Sequence, residues 1–193
     1  MPIVIGLCGP AGAGKSTIAE YLQDVYGAKR YSLAEPLKDI AARTLDFTHE
    51  QLYGTQSQKE AIDPRYGFSP RWFLQKLGTD GCRGVLGSDI WVNALLRRIR
   101  TEAPKYAVVE DVRFPNEADA IRGLFGTYQE GAIWRLHPVD TVTSMHESER
   151  AWENCVADYE FVPFELGIGP LYQFANLTAT RCGMFPTRRE VAL

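Results

Sequence analysis

The sequence predicts an α/β fold, in which a five-stranded parallel sheet carries helices on both faces. Short apolar segments alternate along the chain with amphipathic segments of helical period. The first apolar segment leads directly into a glycine-rich turn and then a helix. Parallel strands need crossover connections, and right-handed crossovers place helices on the two faces of the sheet. With 193 residues, the chain is long enough for one domain of this kind, so we expect a single domain over residues 1–193.

The first half of the chain predicts two strands and several helices. Strands are expected over residues 3–7 and 29–33, and helices over 15–26 and 35–45. The polar segment 48–68 predicts an irregular insertion. Ser69 and Pro70 are typical of a helix start, and we expect that helix to break at Gly78 or Gly81. Strand ends in such sheets form the ligand site.

The second half continues the alternation. A helix is predicted over residues 89–101, followed by a strand over 106–110 and a helix from Phe114 towards residue 124. Two further strands are predicted over 132–136 and 159–162, and a helix over 169–176. The pattern predicts no element for residues 178–193.

The turn after the first strand matches the phosphate-binding pattern G-x-x-x-x-G-K-[ST]. Its residues are Gly9, Pro10, Ala11, Gly12, Ala13, Gly14, Lys15, Ser16 and Thr17. Small residues let successive backbone N–H groups surround phosphate oxygens, and the helix that begins at Lys15 adds its positive end. Lys15 is expected to contact the β- and γ-phosphates, and the Ser16 hydroxyl to hold Mg²⁺. The pattern therefore predicts a nucleoside triphosphate site, with ATP as the expected ligand.

A second metal ligand is predicted at the end of the strand over 106–110. Asp111 follows the apolar residues Ala107, Val108 and Val109, at the position where an acidic residue holds Mg²⁺ directly or through water. Glu110 is the competing candidate, although strand alternation directs neighbouring side chains to opposite faces. A surface carboxylate that caps the next helix is the simpler alternative for Asp111.

Several basic residues are candidate phosphate ligands. Arg113 lies two residues after Asp111, where a guanidinium can bind a phosphate in a bidentate manner; a salt bridge to Glu117 is the alternative. Lys38, Arg83 and, more weakly, Arg71 lie beside small or turn-forming residues, a setting suited to a second phosphate group.

A polar loop over residues 137–150 predicts a short lid. A loop that carries an arginine can exclude water and neutralise the charge of the transition state. Arg135, at the end of a predicted strand, and Arg150 are the candidates for this catalytic role. Aromatic residues that could stack on a base are Tyr31, Tyr53, Tyr66, Trp72 and Trp91, although most aromatic side chains of this kind belong to the core.

Composition limits the class of protein. The net charge is −3 and the pI near 5.7, which argues against nucleic acid as the main partner. No part of the sequence resembles a membrane-spanning run, and no leader pattern precedes the first strand, so a cytoplasmic location is expected. The four cysteines form no C-x-x-C pair and are expected to be reduced, and the three histidines lack metal-ligand spacing.

Four groups of residues occur together behind the phosphate-binding loop. They are Leu33-Ala34-Glu35-Pro36-Leu37-Lys38; Arg71-x-x-Leu74-Gln75-x-Leu77-Gly78-Thr79-Asp80-x-x-Arg83; Asp111-Val112-Arg113-Phe114-x-x-Glu117; and His146-x-Ser148-Glu149. In this combination the chain resembles the bacteriophage-type deoxynucleoside monophosphate kinases, relatives of adenylate kinase within the P-loop NTPases. The similarity covers about residues 1–165.

The resemblance implies a function and a division of the chain. It implies transfer of the γ-phosphate of ATP, with Mg²⁺, to a deoxynucleoside 5′-monophosphate. It also implies that residues 33–88 form the monophosphate-binding insertion, with Lys38, Arg71, Asp80, Arg83 and Arg113 as ligands. The oligomeric state stays open, and a homodimer is one alternative. In a virus-encoded protein of this kind, the location would be the host cytoplasm.

Two other functions fit parts of the sequence. A dephospho-coenzyme A kinase, or another small-molecule kinase, would use the same scaffold. A nucleotide-dependent switch or DNA-handling ATPase would use the same loop. A GTPase would show an N-K-x-D motif, which does not occur in this sequence, and a DNA motor would show a basic face, which the acidic pI disfavours.

Overall fold

A computed structural model describes residues 2–123, 131–137, 150–163 and 167–187. Its sheet has five parallel strands in the order β2-β3-β1-β4-β5, which confirms the predicted fold class. The strands are β1 Ile3–Cys8, β2 Lys29–Tyr31, β3 Tyr106–Val112, β4 Gly131–Leu136 and β5 Tyr159–Phe161. β3 and β4 are the neighbours of β1, so the segments that follow β1 and β3 leave the same edge of the sheet.

Helices occupy most of the connections between strands. They are α1 Lys15–Tyr26, α2 Glu35–Leu45, α3 His49–Tyr53, α4 Gln56–Glu60, α5 Pro70–Gln75, α6 Gly84–Leu86, α7 Ile90–Glu102, α8 Pro115–Arg122 and α9 Ile168–Arg181. A π-helix, Lys76–Arg83, connects α5 to α6, and a 3₁₀ helix, Ala151–Asn154, precedes β5.

The two faces of the sheet are covered by different helices. On β1, Ile5 and Leu7 belong to a buried cluster that includes residues of α1 and α9. A Cβ atom placed on the intervening Gly6 would lie 2.6 Å from Ile133 Cδ1 and 3.2 Å from Ile121 Cδ1 of α8. Because neighbouring residues of a strand point to opposite faces, α8 lies on the face opposite α1 and α9.

The chain divides into two compact units. Unit 1 comprises Met1–Ser32 and Val92–Leu193 and contains the sheet; unit 2 is Leu33–Trp91. Unit 2 begins where the sequence predicts the insertion to begin and ends at Trp91 rather than at residue 88. It has its own buried cluster, formed by Ala41, Phe47 and Leu52 with partly buried aromatic residues packed against them.

The prediction of an irregular segment over 48–68 was wrong. Two short helices occur there, and each begins with a reciprocal cap in which a threonine and a glutamine bond to each other's backbone: Thr48 with Gln51, and Thr55 with Gln58. The T-x-x-Q spacing of these caps is visible in the sequence. The buried Asp63 then accepts hydrogen bonds from Gln51 at 2.9 Å and from Arg65 at 2.8 and 3.0 Å.

The predicted helix break at Gly78 or Gly81 was also wrong. The backbone continues from α5 as a π-helix through both glycines. A Cβ atom on Gly78 would lie 2.7 Å from Leu37 Cδ1, so the missing side chain serves close packing of α2 against the π-helix.

At the other end of the chain, α9 continues to Arg181, beyond the predicted end at residue 176, because Leu171, Ala175 and Ala179 extend its buried stripe.

Within the described residues, we find no helix of the length and apolar content that crossing a bilayer requires.

The carboxylate of Glu102 gives unit 1 a pH dependence. It accepts a hydrogen bond from the Tyr31 hydroxyl at 2.6 Å and pairs with Lys29 at 2.9 Å and Arg98 at 3.0 Å. These contacts, with the Tyr31 bond first, lower the pKa of Glu102 from 4.5 to about 2. A carboxyl group whose pKa is lowered by folding stabilises the fold above its unfolded pKa, and this stabilisation is lost as the pH falls through the folded pKa.

Glu102→Gln should therefore lower the free energy of unfolding at pH 7, and the difference from the original chain should shrink as the pH falls from 4.5 to about 2. Urea unfolding across this pH range measures it. Asp24→Asn, at an exposed carboxylate of α1, is the control. A deficit in the glutamine variant that stays constant with pH would contradict the assignment.

Candidate functional site

The loop between β1 and α1 takes the backbone conformation that its glycines permit. Gly9, Gly12 and Gly14 have φ angles of +139°, +80° and +86°, values that residues with a Cβ atom rarely adopt. A Cβ atom on Gly9 would lie only 2.3 Å from the carbonyl oxygen of Leu136. Gly14 is the residue before the first turn of α1, so the loop delivers the chain directly to the helix start. This is the backbone geometry of an anion-binding loop.

The side chains of this loop also match the phosphate-binding arrangement. The Lys15 ammonium group donates to the carbonyl oxygens of Gly9 at 2.8 Å and Pro10 at 2.6 Å. It is therefore held over the loop by backbone oxygens. Ser16 is exposed in the first turn of α1, while Ala13 is buried in the sheet-side core. Ala11 and Thr17, the remaining predicted ATP ligands, are half-buried at the two ends of the turn.

A β-bulge sets the position of Asp111. β3 extends to Val112, two residues beyond the predicted end, and its register with β1 shifts: Gly6 pairs with Val109, but Cys8 pairs with Val112. Between these two pairs, β3 advances by three residues while β1 advances by two. Regular alternation of side chains between the two faces, which was the reason to separate Asp111 from Glu110, therefore does not hold here. Bulges are frequent beside active sites, where they redirect a side chain.

The neighbours of the two carboxylates distinguish them. Glu110 binds the guanidinium group of Arg30 on β2 through two contacts, at 2.6 and 3.0 Å. Asp111 accepts a hydrogen bond from the Ser32 hydroxyl at 2.7 Å. Sequence reasoning missed Ser32; the signal was a short polar residue directly after β2, the strand beside β3. Glu110 therefore joins β3 to β2 through Arg30, whereas Asp111 accepts a hydrogen bond from a neutral hydroxyl.

The donor set of unit 1 fits a magnesium ion. Mg²⁺ prefers oxygen ligands and is usually held by one or two protein oxygens together with phosphate and water. Ser16 supplies a hydroxyl in the first turn of α1, and Asp111 supplies a carboxylate at the same edge of the sheet. The described residues contain no cluster of three or more histidine, cysteine or acidic side chains that could hold a metal ion. Phosphate and water would therefore have to supply the remaining ligands.

Arg113 lies in a backbone segment fixed by the buried Glu117. One carboxylate oxygen of Glu117 accepts the backbone N–H groups of Arg113 at 2.9 Å and Phe114 at 3.0 Å. Glu117 thus caps the start of α8, a more specific role than the complement to the helix dipole that its sequence position suggests. The consequence is a rigid backbone at Arg113, directly after β3.

The structure gives Arg135 different neighbours from those expected of a lid residue. Arg135 lies inside β4, whose last residue is Leu136. Its guanidinium group pairs with Glu160 of β5 at 2.9 Å and donates to the carbonyl oxygen of Cys155. These contacts join β4 to β5, and the side chain is only 16% exposed. A structural role in the sheet therefore accounts for Arg135 better than the catalytic role predicted for it.

Most of the predicted lid lies outside the described residues. The structure describes His137 and Arg150 but not residues 138–149, which include the His146-x-Ser148-Glu149 motif. Arg150 is exposed and lies immediately before the 3₁₀ helix. The lid arginine therefore stays a prediction.

The predicted monophosphate ligands all lie in unit 2, apart from Arg113. Asp80 and Arg83 are carried by the π-helix, a rare conformation that occurs most often at functional sites. Lys38 lies one residue after Leu37, which packs against Gly78 of that helix. The close approach at Gly78 thus places the first turn of α2 beside the π-helix.

Each of these polar side chains has a neighbour within unit 2. Lys38 lies with its ammonium group 4.0 Å from the centre of the Tyr53 ring, which is a cation–π contact. Arg83 donates to the carbonyl oxygen of Ser88 at 2.7 Å. The remaining two form ion pairs, Asp80 with Lys76 at 2.6 Å and Arg71 with Glu60 at 3.3 Å.

The aromatic candidates for base stacking divide into two groups. Three donate hydrogen bonds inside their own unit: Tyr31 to Glu102, Tyr66 to the carbonyl oxygen of Leu45, and Trp91 to that of Gly78. Tyr53 and Trp72 are instead 45% and 47% exposed. Only these two of the five therefore present much ring surface to solvent.

Comparisons with known proteins place the chain in a family. No family model matches the sequence. The chain is 38% identical over 139 residues to a protein of Acanthamoeba polyphaga mimivirus named "Putative deoxynucleotide monophosphate kinase", which covers 64% of this chain and 70% of that protein. It is 27% identical to the "Deoxynucleoside-5'-monophosphate kinase" of Escherichia phage T5, with 92% of this chain and 97% of that protein covered.

Among solved structures, the chain is similar to TT1252 from Thermus thermophilus, with a TM-score of 0.46, 18% identity, and coverage of 95% of this chain and 98% of that one. The sequence comparisons confirm the resemblance that the four motifs indicate. With 38% identity across 70% of the mimivirus protein, the chain belongs to the deoxynucleoside monophosphate kinase family.

Proposed function

We propose that this protein transfers the γ-phosphate of ATP to a deoxynucleoside 5′-monophosphate, giving ADP and the deoxynucleoside diphosphate. The observation that carries the proposal is the loop from Gly9 to Gly14, with Lys15 held over it and the start of α1 directly behind it. The names of the two viral relatives support a kinase that acts on deoxynucleotides.

The donor half of the reaction is assigned to unit 1. Backbone N–H groups of the loop and the positive end of α1 would bind the β- and γ-phosphates, and Lys15 would neutralise oxygens that carry charge in the transition state. Ser16 and Asp111 would hold Mg²⁺, which would supply positive charge that lowers the repulsion between the phosphates. Ser32 orients the Asp111 carboxylate through its hydrogen bond.

Arg113 is the guanidinium that we assign to the transferred phosphoryl group. Its backbone N–H group is held by Glu117, so the backbone at this position is already ordered before the side chain binds an anion. A guanidinium can contact two phosphate oxygens at once, which a lysine cannot. The acceptor oxygen needs no strong base, because an α-phosphate oxygen already carries negative charge at neutral pH.

The acceptor half is assigned to unit 2. Lys38 and Arg83, on elements in direct contact, would bind the monophosphate, with Arg71 and Asp80 completing the predicted set. The cation–π contact with Tyr53 would position the Lys38 ammonium group for an anion. A carboxylate in the place of Tyr53 would compete with the phosphate; an aromatic ring does not.

An acceptor screen tests the proposal. The purified chain is incubated with ATP and Mg²⁺ and with dGMP, dTMP, dCMP, dAMP or dephospho-coenzyme A, and ADP release is followed by a coupled assay. We expect ADP and a diphosphate product with at least one deoxynucleotide, and no product when EDTA removes the metal. Turnover with dephospho-coenzyme A alone would favour the rival kinase instead.

Lys38→Ala and Arg83→Ala should each raise the KM for the deoxynucleotide acceptor while the KM for ATP stays near that of the original chain. Loss of a charged hydrogen bond to phosphate corresponds to about a tenfold to hundredfold change. Steady-state kinetics with each substrate varied in turn measures both constants. Arg43→Ala, at an exposed arginine of the same helix as Lys38, is the matched control. An unaltered acceptor KM would remove the substituted residue from the acceptor site.

A further inference from the structure

Two buried cysteines lie near the start of the phosphate-binding loop. Cys8 is the last residue of β1 and directly precedes Gly9, and Cys155 follows the 3₁₀ helix Ala151–Asn154. Their exposed fractions are 0% and 1%. Both are reduced in this structure. Neither has a role in the proposed transfer reaction.

The contacts of Cys155 place it beside Cys8. In the sheet, Cys8 pairs with Arg135 of β4 on one side and with Val112 of β3 on the other. The Arg135 guanidinium donates to the Cys155 carbonyl oxygen, and the Cys155 thiol contacts the carbonyl oxygen of Arg113 at 3.6 Å. Cys155 is thus held by Arg135, the partner of Cys8 on β4, and by Arg113, which directly follows the partner of Cys8 on β3.

The surroundings also favour reactivity at Cys8. The hydrogen bond with Cys155 lowers the pKa of the Cys8 thiol, and the positive charges of Arg135 and Lys15 lower it further, against the opposing effect of burial. The same hydrogen bond raises the pKa of Cys155. A thiolate is the nucleophile in thiol oxidation, so Cys8 is the thiol that reacts first and Cys155 the one that resolves it.

We propose that Cys8 and Cys155 form an oxidation site, at which hydrogen peroxide produces an intramolecular disulfide. The Cys8 thiolate attacks one peroxide oxygen, the O–O bond breaks, and the departing hydroxide takes up a proton to give water. Cys155 then attacks the sulfur of the Cys8 sulfenic acid, the S–S bond forms, and a second water leaves. Two thiols lose two electrons in total, and one peroxide is reduced to two waters.

The disulfide would involve the residue directly before the loop, so its formation can change the conformation of the loop. Gly9 has no room to move towards β4, because even a Cβ atom there would lie 2.3 Å from the Leu136 carbonyl oxygen. Any movement of the Cys8 backbone when the disulfide forms would therefore shift the start of the loop. Small displacements of catalytic groups have large kinetic effects. The effect of the disulfide on catalysis rests on the proposed function, whereas the formation of the disulfide does not.

Peptide mapping tests the disulfide without any assay of activity. Trypsin cleavage leaves Cys8 in the peptide 1–15 and Cys155 in the peptide 151–181, and neither peptide contains another cysteine. After peroxide treatment of the native chain and blocking of remaining thiols, we expect the two peptides to be joined, with a mass two hydrogens below their sum. Cys82→Ser and Cys182→Ser should give the same cross-link, and Cys155→Ser should leave Cys8 as sulfenic or higher acid.

The mapping result decides the proposal even where a variant fails to fold, since it uses the original chain. Peptides 1–15 and 151–181 that stay separate at peroxide levels that oxidise Cys82 or Cys182 would overturn it. For the coupling to the loop, we expect the cross-linked chain to lose about tenfold to a hundredfold in kcat/KM and to regain it with dithiothreitol. Unchanged kcat/KM in a fully cross-linked chain would overturn the coupling. A chain that cross-links but phosphorylates no acceptor before oxidation would instead contradict the proposed function.

Discussion

Lys15→Ala should lower kcat by about a hundredfold to a thousandfold, the range seen when one preorganised charge-stabilising group is removed from an active site. In the present structure the ammonium group is held by the carbonyl oxygens of Gly9 and Pro10, within the loop that we assign to the phosphates. Alanine removes the only side-chain charge that this loop carries between Gly9 and Thr17. ADP release at saturating ATP and acceptor measures the loss.

The fold should survive this substitution. The two carbonyl oxygens that Lys15 contacts are only partly buried, so water can replace the ammonium group. Thermal unfolding of the variant should therefore stay close to that of the original chain. Lys105→Ala is the matched control, because Lys105 precedes β3 at the opposite edge of the sheet and should change neither property. Normal turnover by a folded Lys15→Ala protein would refute the assignment of the loop.

Gly9→Ala should be the most destabilising substitution in the loop. The new Cβ atom would lie 2.3 Å from the Leu136 carbonyl oxygen, a backbone atom of β4 that cannot rotate away, and the φ of +139° is strained for alanine. Backbone strain of this kind costs about 1–3 kcal/mol, and overpacking adds about 1–3 kcal/mol. We expect the free energy of unfolding, measured by urea titration, to fall by about 2–6 kcal/mol.

Gly12→Ala separates the two contributions. Gly12 also has a positive φ, +80°, but a Cβ atom there would have no neighbour within 4 Å. Its substitution should therefore cost only the strain, about 1–3 kcal/mol. If the two variants lost equal stability, the close approach of Gly9 to β4 would not be the cause, and conformational strain alone would explain both results.

Much of the fold could be predicted from the sequence because its signals are local. The limits of α1 were predicted correctly at Lys15 and Tyr26, since a glycine precedes the helix and another follows it. The alternation of apolar strands with amphipathic helices was enough to predict the parallel sheet. The conformation of the glycine-rich loop between β1 and α1 was also predictable, because it depends on consecutive residues.

The helices missed within residues 48–68 had a local signal in their T-x-x-Q caps. Two other differences have another cause, because they depend on neighbours distant in sequence. The π-helix through Gly78 could not be predicted from its glycines, which favour a break in an isolated segment; packing of Leu37 against Gly78 accompanies the continuous backbone. The role of Arg135 depends on Glu160 of a different strand. A sequence pattern assigns an arginine to a strand end, but only the folded chain determines which carboxylate lies within its reach.

The sequence by itself determined the glycine-rich loop, the sheet and the family motifs, because each is encoded by spacing within a short segment. The tertiary structure decided the geometry around them. The bulge in β3 arises from the register between β3 and β1, and it sets where Asp111 lies and lets Ser32 bind it. The proximity of Cys8 and Cys155 likewise depends on the contact between Cys155, directly after the 3₁₀ helix, and Arg135 of β4. Register and packing are properties of paired segments, so neither strand nor loop alone contains them.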